Sequence, residues 1–233
     1  LGSLTGVRKA RYLEGKWVAA EGMVYSDWSL ADNVIDWFPV PLDWPLFLTV
    51  DFGYNDAFVC QWWRIGPDGA MYLTREIHKS QTLVEDHARY IRSIMTENDG
   101  VEPAPYAVVC DHQLEDRKTL ERHLKLPTVP ATKGISRGVQ LTQARIRKGG
   151  DGKPRLYVLK GAVLDRDEYA EQRHTPRGFA AEVTGYVWQT VRGTDGIPKE
   201  QPIDKNNHSM DAGRYAVAHL DWHEEAKLGN PAK

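Results

Sequence analysis

The stretch Pro45–Cys60, PLFLTVDFGYNDAFVC, constrains the fold of this chain more than any other. Leu46, Phe47, Leu48, Thr49 and Val50 form a short, continuous, β-rich run entered through a proline. Such a run reads as a strand buried on both faces. Asp51 ends it, and a carboxylate directly after a buried strand is unfavourable unless something pairs with it. Gly53 frees the backbone to turn, with Asn55 and Asp56 as turn formers. A second strand is expected over 57–65, a tight turn at Gly66-Pro67-Asp68-Gly69, and a third strand over 70–78. On this stretch alone, Asp51 reads as a turn aspartate capping a loop.

Two further acids change that reading. Pro105-Tyr106-Ala107-Val108-Val109-Cys110 is another buried strand, and Asp111 ends it as Asp51 ended the first. Residues 206–218 read as a helix with Asn206 or Asn207 as N-cap. Asp211 lies one turn in, among small and apolar residues. One acid near a helix N-terminus is ordinary, because the helix dipole favours it. Three carboxylates converging would repel one another, and a bound divalent cation is the usual remedy. All-oxygen ligands suit Mg²⁺ or Mn²⁺ rather than zinc.

The 233 residues give room for one α/β domain with a sizeable core, or one domain plus appendages. No run approaches the ~18 apolar residues of a membrane span, and the N-terminus lacks a signal peptide's apolar core. A start at Leu1 rather than Met suggests a fragment. Cys60 and Cys110 fall in expected buried strands and read as core thiols, with a disulfide left open; two cysteines offer no zinc framework. The net charge of −2 hides an asymmetry: from Arg117 to Lys160, twelve basic residues face only Glu121 and Asp151, a net of +10. That block reads as a polyanion footprint rather than a merely solvated face.

The remaining elements follow from spacing. Residues 1–44 read as an arm or linker carrying Tyr12, Trp17 and Tyr25 at irregular intervals. A helix starts at Ser80 or Thr82, with Thr82 and Glu85 at capping-box spacing. Its inward face is Leu83, Val84, His87, Ile91, Ile94 and Met95. A second helix, 113–124, turns Leu114, Leu120 and Leu124 inward. A short extended segment over 127–131 precedes a third helix, 135–148, whose outer face carries Arg137, Arg145, Arg147 and Lys148. A strand over 155–160, a short helix over 164–172 and a strand over 182–192 follow, the last joined through residues 193–196 to a return strand.

Three antiparallel strands, a helix, a parallel strand, more helices and a late acid-bearing helix resemble the ribonuclease H-like fold. That fold is α/β, a central mixed sheet of three antiparallel strands plus parallel strands, flanked by helices. In detail the chain resembles the C-terminal nuclease domain of bacteriophage large terminase subunits. The likeness runs through RYLEGKWVAAEGMVY, LTVDFGYND, AVVCDH, ATKGISRGVQ, RLYVLK, TGYVW and KNNHSMDAGRYA. The last is the most specific: the family often shows an Asp-His pair followed by Asp-Ala-x-Arg-Tyr. Here Asn207 stands where many members have the first Asp, and Gly213 fills the x.

The resemblance implies a nuclease domain over 45–222 with a tail over 223–233. Asp51, Asp111 and Asp211 are its catalytic and metal-binding residues, with two Mg²⁺ or Mn²⁺ ions and Asp51 as the bridging ligand. Asp56, His208 and Lys205 are supporting candidates. Asp56 also reads as a simple turn acid, and His208 as a helix-start histidine in solvent. Lys133, Arg137, Arg145, Arg147 and Lys148 would hold the DNA backbone without reading sequence. The implied activity is a metal-dependent endonuclease that cuts concatemeric double-stranded viral DNA during genome packaging, in the host cytoplasm and away from membranes. The implied partners are an N-terminal ATPase domain, a small terminase and a portal protein. No GxxxxGK[ST] occurs, so ATP hydrolysis is not expected of this chain. Two alternatives stand beside this reading: a strand-transfer or Holliday-junction-resolving nuclease on the same fold, and a non-catalytic nucleic-acid-binding module whose acids are caps.

Overall fold

The computed structural model describes residues 22–97, 102–132, 134–192 and 198–228. Its sheet strands are β1 (Val34–Ile35), β2 (Leu46–Asp51), β3 (Phe58–Ile65), β4 (Met71–Lys79), β5 (Val108–Cys110), β6 (Val129–Pro130) and β7 (Leu156–Leu159). They lie in the order β1-β7-β4-β3-β2-β5-β6. The β2–β3–β4 meander is antiparallel. The β2–β5, β5–β6, β4–β7 and β1–β7 pairs are parallel. A separate antiparallel hairpin joins β8 (Trp188–Arg192) to β9 (Pro198–Pro202). The helices are α1 (Leu30–Asn33), α2 (Val84–Glu97), α3 (Leu114–Leu124), α4 (Ile135–Ile146), α5 (Glu168–Gln172), α6 (Phe179–Glu182) and α7 (His208–Leu228). Among the described residues no helix is long and apolar enough to cross a membrane. This is the mixed α/β architecture expected from the order of elements.

All six residues of β2 are buried, as a strand covered on both faces requires. Successive side chains of a strand point to opposite faces. Leu46, Leu48 and Val50 therefore pack with Cys60 and Trp62 against α2 and α3, through Ile91, Ile94, Leu120 and Leu124. Phe47 and Trp63 point the other way, into a core built by Val139 and Ile146 of α4, Phe179 of α6 and Met210, Ala216 and Val217 of α7. The same alternation puts Thr49 and Asp51 on the side of α7. Tyr25 and Trp28 also join this core. Asn33 donates to the carbonyls of Ile146 and Leu156, and β1 adds an edge strand that no sequence signal suggests. The segment around Tyr12 and Trp17 lies outside the described residues.

Several local expectations are corrected. Leu83 (54% exposed) and Leu114 (62% exposed) face outward, because each stands at or just before the first turn of its helix, where the chain has not yet reached the sheet. The Thr82 hydroxyl donates to the Ser80 carbonyl instead of closing a capping box with Glu85. The helix expected over 164–172 is confined to α5, started by Asp167, whose carboxylate accepts from Ala170 N at 3.0 Å. The strand expected from Glu182 begins only at Trp188: residues 179–185 are helical, ending in a 3₁₀ turn at Val183–Gly185. Cys60 and Cys110, by contrast, are buried free thiols as read from the sequence.

Gly213, the unusual residue in the late motif, has a steric reason. A Cβ there would lie 2.5 Å and 3.0 Å from ring carbons of Phe179. Helix propensity alone favours alanine over glycine by about 1 kcal/mol. Overpacking at this contact should reverse the sign, and Gly213→Ala is expected to lower stability by roughly 1–3 kcal/mol. Urea unfolding measures it, and a more stable variant would show that α7 and Phe179 can part freely.

Candidate functional site

The sheet register brings the first two acids together. β2 and β5 run parallel with Val50 beside Cys110, and Asp111 N donates to the Val50 carbonyl at 3.1 Å. Asp51 and Asp111 thus emerge side by side at the C-terminal edge of the sheet. Gly53 is needed just beyond: a Cβ there would lie 2.5 Å from the Ala57 carbonyl oxygen, so only glycine permits this tight exit.

Helix α7 brings the third. His208, Asp211 and Tyr215 lie at spacings of three and four, on one helix face. His208 Nδ1 lies 2.9 Å from Asp51 Oδ2, and the Tyr215 hydroxyl donates to Asp51 Oδ1 at 3.3 Å. Asp211 accepts from Arg214 Nη2 at 2.8 Å and from Asn207 Nδ2 at 3.3 Å. The start of α7 is held by Glu182, a buried carboxylate that accepts from Ser209 N at 2.7 Å. Its other oxygen meets His78 Nε2 at 2.7 Å. Arg214 and Tyr215 stand in the late motif but carry no role that the motif alone reveals. Glu182 carries no sequence signal, since its partners lie 27 and 104 residues away along the chain.

The electrostatics follow from burial and crowding. Burial, with the nearby charges of Asp211 and Asp111, pushes the Asp51 carboxyl up to about 6, against the lowering influence of His208. Burial also raises Asp211, outweighing its ion pair with Arg214. Burial would lower His208, but the contact with Asp51 wins and its net shift is upward. Burial and the Asp51 charge push the Tyr215 phenol up, so it stays a proton donor.

These carboxylates fit a hard divalent cation in donor chemistry: they offer oxygen donors from one sheet edge and the helix beside it, and Asp51 is buried at the cost of its own ionisation. They do not form a closed set. Among the described residues no group of three or more His, Cys, Asp or Glu side chains is gathered closely enough to hold a metal ion. Asp51 is instead engaged by His208 and Tyr215, and Asp211 by Arg214 and Asn207.

Two cavities open beside His208, the partner of Asp51. One, about 670 Å³, is lined by Asp56, His78, Arg173, Glu182, Lys205 and His208. The other, about 700 Å³, lies between Tyr54, Leu83, Asp116 and His208. Asp56 and Lys205 are exposed at the rim.

The basic block is more neutralised than its sequence suggests. Arg145 makes a two-pronged pair with Asp221 at 2.5 and 2.6 Å, and Lys148 pairs with Asp32 at 2.8 Å. Lys160 pairs with Asp36, Arg155 with Asp151 and Lys118 with Glu121. Arg147 is exposed at the end of α4 and Arg137 is half-buried. Lys133 lies outside the described residues.

A mixed sheet whose antiparallel meander is extended by parallel strands and flanked by helices has the ribonuclease H-like arrangement. No protein-family model matches the sequence, and no curated protein does. Solved structures do, among them large terminases and their nuclease domains. The large terminase of a thermophilic bacteriophage, in complex with ADP, covers 94% of this chain at a TM-score of 0.66 and 19% identity. This chain spans 50% of that protein's length. The nuclease domain of the P22 large terminase covers 88% of this chain and is itself 95% covered, with a TM-score of 0.57 and 16% identity. The nuclease domain of the bacteriophage SPP1 large terminase, solved with bound Mn, covers 81% and is 96% covered, with a TM-score of 0.53 and 17% identity. The chain has the fold of these nuclease domains.

Proposed function

We propose that this chain is a metal-dependent DNA endonuclease, the nuclease part of a large terminase that cuts concatemeric double-stranded viral DNA during genome packaging. One observation carries the reading: Asp51 and Asp111 end adjacent parallel strands, and α7 seats His208 directly on Asp51 with Asp211 one turn further on. Loop caps have no need of this arrangement. The terminase identity of the structural neighbours, and the Mn bound to one of them, support the reading.

Asp51, Asp111 and Asp211 would hold divalent Mg²⁺ or Mn²⁺, two ions in the full site, with Asp51 as the shared ligand. Such ions supply an activated water and neutralise charge on the phosphodiester. The chain's own residues do the rest. His208 and Tyr215 fix both oxygens of Asp51, so its carboxylate plane is set before substrate arrives. Arg214 and Asn207 do the same for Asp211. Lys205 at the cavity rim, with Lys133, Arg137, Arg147 and Lys148, would contact phosphates without sequence preference. At Arg145 and Lys148 such contact would require their pairs with Asp221 and Asp32 to open. Asp56 would stand beside the substrate path. An N-terminal ATPase domain, a small terminase and a portal protein would complete the packaging machine, in the host cytoplasm.

Supercoiled plasmid incubated with Mn²⁺ or Mg²⁺ is expected to be nicked and linearised, and EDTA to stop it. Intact plasmid under every metal condition would remove the nuclease reading. A strong preference for branched DNA over linear duplex would favour the junction-resolving alternative.

A further inference from the structure

Arg214 reaches Asp211 only because α4 has a gap in its surface. Gly138, one turn into α4, faces the stem of Arg214: a Cβ at 138 would lie 2.6 Å from Arg214 Cγ and 2.9 Å from Cδ. Both residues are buried. The guanidinium leaves this notch with Nη2 on Asp211 Oδ1 at 2.8 Å. It packs over the Tyr215 ring, its central carbon 5.1 Å from the ring centroid. Tyr215 in turn donates to Asp51. The arginine stem therefore connects a helix of the basic block to two of the three acids.

We propose that Gly138 and Arg214 form a positioning pair: the notch at Gly138 seats the Arg214 stem, and the seated guanidinium sets the Asp211 carboxylate for a divalent cation. This rests on the nuclease reading above. The contact is specific, because at this helix-interior glycine any side chain collides with the arginine before it meets anything else nearby. Partners that orient a metal ligand commonly change metal affinity about 10–100-fold when removed.

The experiment is a Mn²⁺ titration followed by thermal shift on the whole chain, with nicking measured in parallel. Gly138→Ala should raise the Mn²⁺ midpoint at least about tenfold. Arg214→Ala should do the same, and Arg214→Lys, which keeps stem and charge, should recover part of the response. The decisive comparison is the double variant. Alanine at 138 should lower the melting temperature when residue 214 is arginine. It should raise it when residue 214 is alanine, because the clash is gone and only helix propensity remains. That reversal reports the notch even if one variant loses metal binding altogether. An unchanged Mn²⁺ midpoint in Gly138→Ala, with a responsive and nicking wild type, overturns the inference and leaves the nuclease reading standing. Equal effects of Gly138→Ala in both backgrounds also overturn it. A wild type that neither responds to Mn²⁺ nor nicks DNA overturns the nuclease reading, and the positioning role with it.

Discussion

Asp51→Asn is expected to abolish metal-dependent nicking and, without metal at about pH 8, to raise the melting temperature rather than lower it. The Asp51 carboxyl sits at about 6 in the fold, against an ordinary value of 3.8. Above that range the folded state must hold a buried, crowded charge that the unfolded chain carries freely in water. At about 1.4 kcal/mol per unit, the shift corresponds to on the order of 3 kcal/mol. Asparagine removes the charge but keeps only part of the bonding to His208 and Tyr215, so this is an upper bound on the gain. For a chain of this size each kcal/mol moves the midpoint by about 2–4 °C. The same variant should lose most of the Mn²⁺-induced stabilisation, which in the wild type would reach about 2.7 kcal/mol at a hundredfold excess over Kd. A loop-capping aspartate behaves in the opposite way: its loss costs on the order of 1 kcal/mol and leaves metal without effect in either protein. A destabilised Asp51→Asn that still nicks DNA would remove Asp51 from the metal site.

The contributions of Asp51 and His208 to metal-free stability are expected to fall as pH rises from about 4 to about 8, against the opposite contribution of His87, which burial lowers to about 4, while the stabilisation given by Mn²⁺ grows over the same range. Asp51 has a raised folded pKa, so between 3.8 and about 6 the native state holds more protons than the unfolded chain. Its contribution to stability therefore declines as pH climbs through that window. His208 is also raised, from 6.5. Its contribution is fully present below the unfolded value and is lost as pH rises through the folded one. The two groups act in the same direction. Divalent metal held as proposed would reverse the trend, because it would bind the deprotonated carboxylate while protons compete for Asp51 below about 6. Thermal melts in EDTA and in Mn²⁺ across this range, comparing the wild type with Asp51→Asn, test both halves. A Mn²⁺ shift of equal size at the acidic and alkaline ends would exclude Asp51 as a ligand.

The placement of the candidate acids is legible in the sequence because strand and helix periodicities are local. An apolar run broken by Asp51, a second broken by Asp111, and a small-residue helix with Asp211 one turn in can each be read from a few neighbouring residues. Leu83 and Leu114 mislead for the same reason: periodicity assigns a face but not the point at which a helix first touches the sheet. The helical segment at 179–185 is hidden because its determinants are not local. Phe179 N bonds Glu76 at 2.9 Å, and Glu182 is fixed by His78 and Ser209.

Fold class, the three acids and their order along the chain are therefore written in short stretches of adjacent residues, since burying an apolar strand and ending it with a carboxylate is a local event. What those acids touch is not written there and follows from packing. Packing sets His208 and Tyr215 on Asp51, opens the notch at Gly138 for Arg214, and excludes a side chain at 213 so that Phe179 can sit against α7. It also settles how much of the basic block stays unneutralised. The counter-charges within the block's own sequence are only Glu121 and Asp151. Folding brings Asp32, Asp36 and Asp221 to Lys148, Lys160 and Arg145. Charge pairing depends on distance in space, and separations of 76 and 124 residues along the chain leave no trace in local pattern.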